Sequence, residues 1–182
     1  MFSGGYSLIE LLVAIGVFST VVAVLSGAFI ISLNGQKKTV SVQNVADDVR
    51  YATEIMAKEI RMMDVDPSRQ ATADNNGGAC SGNCRMLFYS NMPHRNPNAQ
   101  VAFYLDPASH TIMFDDDTSD ALAAEPITSS GVTVNALAFD VSGIPPSSQP
   151  RVTFVVRLAS NDSNVAVRTT MNVQTTISPR TL

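Results

Sequence analysis

Glu10 is the first residue of this chain whose chemistry calls for a reason. It is a carboxylate followed at once by residues 11–33, which contain no charge and no proline. An acid in an apolar helix costs on the order of 2–3 kcal/mol near a bilayer centre and less at its margin. It is either a tolerated interfacial acid or a group that meets a cation once the helix leaves the lipid. Cys80 and Cys84 are the only thiols, and they enclose Ser-Gly-Asn within a Gly/Asn-rich stretch. In an exported domain the leading reading is a local disulfide, with free thiols as the alternative. So short a loop would stabilise little. Zinc needs four ligands, and His94 and His110 stand at no recognised ligand spacing. Asp115, Asp116, Asp117 and Asp120 form an acidic cluster after a strand-like run. Oxygen-rich loops bind Ca²⁺, but this spacing is not that of an EF-hand, and a solvated acidic turn is the plainer reading. No nucleophile elbow, zincin motif, phosphate loop or dinucleotide fingerprint occurs, so no enzyme and no cofactor are expected.

These residues must be carried by elements the chain can build. The 182 residues leave room for one modest domain and an anchor. Mean hydropathy is +0.12 and apolar content 45%, and the apolar excess is local to residues 11–33. As a helix that run spans roughly 34 Å, enough for a bilayer core. A secretory signal competes, since Ser26 and Ala28 place small residues at −3 and −1 of a cleavage point. Against it, the run is long for such a signal and the residues before it carry no Lys or Arg. Net charge is −4 with a pI near 5.0. The basic pair Lys37-Lys38 stands alone, so no nucleic-acid partner is expected.

The helix is expected to continue past the apolar run. Residues 37–63 lack Gly and Pro, and Val42, Val45, Val49, Ala52, Met56 and Ile60 recur at three- and four-residue steps. Glu54 and Lys58 stand at i,i+4 on another face. Asp64 to Pro67 stops the helix, since Pro disfavours helix at Asp66. A helix from Tyr6 to Met63 would be about 87 Å long. Gly27 and Gly35 are its candidate soft points, and Ser19, Ala23 and Gly27 form a small-residue strip. After Pro67 the pattern changes to short β-type runs. These are Arg85–Tyr89, Val101–Leu105, Thr111–Phe114, Val132–Val141, Val152–Leu158 and Val165–Ile177, with turn-rich stretches between them. Alternation falters near Asn135, where a break or a bulge is expected, and Met171, Val173 and Thr175 share a face. The fold class is α+β: one long helix whose distal half packs on a mainly antiparallel sheet.

The string GYSLIELLVAIGVF, Gly5 to Phe18, resembles the processing signature of type IV prepilins and type II secretion pseudopilins. That signature is a polar leader ending in Gly, an aromatic residue, and Glu at the fifth mature position. Here Tyr6 stands where the family usually has Phe, and the leader lacks its usual Lys or Arg. The resemblance implies a chemistry done to the chain rather than by it. A prepilin peptidase would cut between Gly5 and Tyr6, and Tyr6 would be N-methylated. Gly suits the scissile position because it lets a protease approach the backbone closely. The new amine of Tyr6 in one subunit would then pair with Glu10 of a neighbour inside an apolar filament core, where a lone charge is costly.

The organisation so implied is a leader at 1–5, a membrane or filament-core helix at 6–33, its amphipathic continuation at 34–66, and a strand-rich extracytoplasmic head at 67–182. Residues 43–63 are also similar to the corresponding stretch of larger minor pilins and J-type pseudopilins. The expected function is a structural subunit of a type IV pilus-like or type II secretion pseudopilus filament. Its partners would be the peptidase, other pilin or pseudopilin subunits, the assembly machinery and the membrane. It would start as a single-pass protein of the bacterial inner membrane with its N-terminus in the cytoplasm. The positive-inside rule alone, read from Lys37-Lys38, gives the opposite orientation. The alternative function is a membrane-anchored binding or adhesive domain that never polymerises.

Overall fold

A computed structural model describes residues 7–64, 72–73, 85–90, 92, 100–119, 124–143 and 149–179. One α-helix, α1 (Leu8–Arg61), runs for 54 residues, roughly 80 Å. Ser7 is its N-cap in extended conformation, with Oγ accepting from the backbone N of Glu10 at 3.3 Å. Ser7-Leu-Ile-Glu10 therefore has the order of a capping box, which sets the helix start at Leu8. The helix expected from Tyr6 thus begins two residues later; Tyr6 itself lies outside the described residues. At the far end α1 stops at Arg61 rather than Met63. The backbone N of Met62 reaches Glu59 O at 3.0 Å, and Met63 forms an antiparallel bridge with Ser90. Asp64 N then donates to Tyr89 O at 2.8 Å. Lys58 and Arg61 occupy the last turn, where cations favour the helix dipole.

α1 runs through Gly27 and Gly35 without a break. Its buried face is Ser41, Val45, Val49, Ala52, Met56, Glu59 and Ile60. The stripe read from sequence is right from Val45 to Ile60 and wrong at its start. Val42 is 37% exposed while Ser41 is 5% exposed. Steps of four from Val49 through Val45 lead back to position 41, and position 42 is turned about 100° away.

The strands form two sheets, not the single sheet expected. The first is a five-stranded antiparallel meander in sequence order: β1 (Thr72–Ala73), β2 (Arg85–Tyr89), β3 (Gln100–Asp106), β4 (Thr111–Asp115) and β5 (Ala124–Pro126). The second is a three-stranded antiparallel meander of β6 (Val132–Ser142), β7 (Arg151–Ser160) and β8 (Thr170–Ile177). α1 packs on β6, β7 and β8, and β6 also meets β1, β3 and β4. The core lies where these layers converge. Val152, Phe154, Val156 and Leu158 alternate inward on β7, and Phe103 is flanked by Phe88 and Phe114 at centroid distances of 6.0 and 5.0 Å.

The register of β6 and β7 shifts between Val134 and Ala136, placing the bulge where the sequence pointed. Its effect is physical: the extra residue, Asn135, is exposed, and Leu137 and Phe139 return to the face that holds Val132 and Val134. Without it, period-two alternation would put Ala136 and Ala138 in the core. The last strand is shorter than expected. Residues 165–167 are a turn, with Ala166 N on Asn164 Oδ1 at 3.0 Å and Val167 N on Asn164 O at 3.0 Å. The asparagine side chain supplies a local partner that competes with strand pairing. Met171, Val173 and Thr175 do share a half-buried face of β8.

Candidate functional site

The first half of α1 stands out by its composition and its exposure. From Leu8 to Leu33 every residue is exposed, with Leu8, Ile9, Phe18, Val24 and Ile31 between 69 and 80%. α1 is long and apolar enough to cross a membrane near the N-terminus. Sixteen large apolar side chains are open over this stretch. Covering them is favourable by on the order of 20 kcal/mol, at about 1.5–3 kcal/mol for full burial of each. Three of the hydroxyls along this half are satisfied within the helix, as an apolar surround requires. Ser19, Thr20 and Ser26 donate to the carbonyls of Ile15, Val17 and Val22 at 2.7–2.8 Å. Glu10 is the one charged residue from Leu8 to Leu33, at the third helical position. A carboxylate there also favours the positive end of the helix dipole, a local role that the sequence reading did not weigh. Gly5 and Tyr6, the expected cleavage and methylation residues, lie outside the described residues.

Cys80 and Cys84 also lie outside the described residues, as do His94 and Asp120. Asp115 closes β4 and is 8% exposed. Burial pushes its carboxyl above the usual carboxylate range, against the pull of the Asp117 backbone N–H and of the Arg85 charge. Asp117 is held below that range by the Ser119 hydroxyl, 2.6 Å away, and by the Ser119 backbone N–H. Asp117 is thus engaged in its own turn. Among the described residues no three His, Cys, Asp or Glu side chains gather as metal ligands. His110 sits at φ +53° at the end of the β3–β4 hairpin. Its backbone N donates to Asp106 O and its carbonyl accepts from Val134 N at 2.8 Å.

Two features were not read from the sequence. Asp48 on α1 accepts from the Ser129 backbone N at 3.1 Å and from Ser129 Oγ at 2.7 Å, tying helix to head across 81 residues. Next to it, α1 residues 36–44 and the loops at 130–131 and 160–167 enclose an open polar groove of about 720 Å³. Neither could be found by spacing, because both join segments far apart in the chain. No protein-family model, curated protein or solved structure matches this chain.

Proposed function

We propose that this chain is a filament subunit of the type IV pilin-like class, anchored in a membrane by the first half of α1 before it assembles. One observation carries the reading. A helix of 54 residues leaves its whole first half uncovered while its second half is fixed to a folded head. Such a helix needs an apolar surround, which lipid provides first and neighbouring helices provide in a filament. The Gly5, Tyr6 and Glu10 spacing supplies the route between the two. Prepilin peptidase would cut after Gly5 and the amine of Tyr6 would be methylated. The cation would pair with Glu10 of an adjacent subunit, setting the axial register of the fibre. Within that class, the similarity of residues 43–63 to larger minor pilins favours a minor subunit.

The deciding measurement is mass spectrometry of the mature N-terminus, with sheared filaments assayed for the chain. The expected result is a chain beginning at N-methylated Tyr6, present in filaments or required for secretion through a pseudopilus. A chain beginning after Ala28 would restore the secretory-signal reading. A chain anchored in the membrane but absent from any fibre would establish the non-polymerising binding domain instead.

A further inference from the structure

We propose that the polar groove at the base of the head holds a phospholipid headgroup, with the lipid phosphate on Lys37 and the outer end of the headgroup among the β7–β8 loop. The inference rests on the membrane-anchored reading of α1 and on nothing about assembly. The groove lies between α1 and the loop that follows β7, and its lining includes Lys37, Ser41, Asn44, Asn161, Asp162 and Asn164. Its volume of about 720 Å³ falls within the roughly 300–1,000 Å³ of small-molecule sites.

Its position along the helix identifies the ligand class. The apolar run ends at Leu33, and Lys37 follows four residues later, about 6 Å further along the axis. The headgroup layer on each side of a bilayer is roughly 5–7 Å deep. Lys37 therefore stands at headgroup depth when residues 11–33 fill the hydrocarbon core. A lysine ammonium at this level attracts lipid phosphate, and the amides and hydroxyls beyond it suit a glycerol or ethanolamine end. The loop wall is firmly built. Arg168 Nε donates to Asp162 O at 2.7 Å, and Asn161 N donates to Gly131 O at 2.9 Å.

Two further observations point the same way. Ser41 is 5% exposed, and its Oγ has no hydrogen-bond partner. Thr39, Ser26 and Ser19 on the same helix all donate to the carbonyl one turn back. Ser41 leaves that bond unmade, and its Oγ is shielded from solvent, so one rotamer step is needed to bring it to the groove it borders. Val165, in the same β7–β8 loop, is 75% exposed and is the most exposed large apolar side chain among the described residues of the head. An exposed apolar tip in the loop that walls the groove suits a surface resting on lipid.

The test uses the full chain reconstituted in phosphatidylcholine vesicles, alone or with phosphatidylglycerol or phosphatidylethanolamine. Lipid retained after gentle detergent extraction is counted by native mass spectrometry. Lys37→Gln should lower retention about fivefold, the effect of one basic residue at a membrane surface. Lys38→Gln, next to the groove but not lining it, should change retention less. Ser41→Ala should lower retention without lowering the melting temperature. The chain has no tryptophan, so Val165→Trp adds a single reporter. Its emission should shift to the blue in vesicles and be quenched by a headgroup spin label. Equal losses from Lys37→Gln and Lys38→Gln would overturn the site in favour of diffuse charge attraction. Displacement of the lipid by soluble glycerol 3-phosphate at the same affinity would overturn it in favour of a free phosphate ester. A tryptophan shift that follows protein concentration and ignores lipid would overturn it in favour of a second copy of this chain. A chain that stays out of vesicles refutes the anchor as well, whereas an inserted chain with unchanged retention in Lys37→Gln refutes the groove alone.

Discussion

Residues 8–33 and residues 41–60 belong to one unbroken helix, yet none of the first group is buried and seven of the second are. The backbone is the same in both. What differs is the distribution of apolar side chains around the axis: all round in the first half, along one stripe in the second. A helix apolar all round can bury itself only in a continuous apolar medium, whereas a stripe can be satisfied by a single sheet. α1 therefore suits two surroundings at once, and the change occurs between Leu33 and Ser41. That short segment carries Lys37, Lys38 and part of the groove lining, Gln36, Val40 and Ser41.

The largest effect should come from removing residues 1–33. The chain that starts at Asn34 should lose membrane partition altogether and remain a soluble folded monomer by sedimentation and circular dichroism. Its two cysteines should resist alkylation without reductant. Aggregation of that shortened chain would mean that the first half of α1 also holds the head together.

Next is Glu10→Val. Insertion and cleavage should persist, because a carboxylate leaves an apolar helix. Filament yield, or secreted substrate for a pseudopilus, should collapse, since an unpaired buried amine costs about 3–5 kcal/mol at each contact. Wild-type yield alongside normal cleavage would remove Glu10 from assembly and leave it as a capping residue.

The two halves can also be compared by truncating one side chain in each. Met56→Ala, at 0% exposure, should destabilise the head by about 2–5 kcal/mol in urea unfolding. Leu25→Ala, at 62% exposure, should move it by no more than about 0.5 kcal/mol. Equal effects would contradict the division drawn above. A smaller loss, about 1–2 kcal/mol, is expected for Asp48→Ala, which frees Ser129 N and Oγ from the helix. Ser129→Ala should give a similar loss, and the double variant should add little to either.

The smallest effect is one of pH. Asp115 has its carboxyl raised by burial, so the folded state holds that proton more tightly than the unfolded one. Ionisation of Asp115 therefore lowers stability as pH rises from the ordinary value of about 3.9 through its raised value. Asp115→Asn should gain stability at neutral pH, and the gain should fade in acid. Asp106 and Asp117, both lowered by hydrogen bonds, act in the opposite sense. Their contribution is present above about pH 3.9 and lost as pH falls through their lowered values. Thermal melts of wild type and Asp115→Asn across this range test the sign.

The long helix, its two characters and most strands were legible in the sequence because their signals are local. Twenty-three uncharged residues and a period of three to four need no partner to be recognised. Arg85–Tyr89 was read with its bounds intact, and the bulge at Asn135 with its cause. Val165–Ile177 was read too long because Val165 and Val167 have strand character, whereas Asn164 turns the backbone with its own side chain. β1 and β5 were missed because two- and three-residue strands exist only through their neighbours.

By its own order of residues, then, the chain determined where an apolar surround is needed, which face of the distal helix is buried from Val45 to Ile60, and where a Gly, an aromatic residue and Glu10 fall in register. Only the tertiary structure decided that the strands divide into two sheets and that Asp48 clasps Ser129. It also decided that Ser41 rather than Val42 turns inward beside a groove made with the β7–β8 loop. The reason is range. Helix and strand periodicities repeat within a few residues, so composition reports them. The clasp and the groove instead join residues roughly 80 to 130 positions apart, and they, like the division into sheets, depend on how whole layers pack.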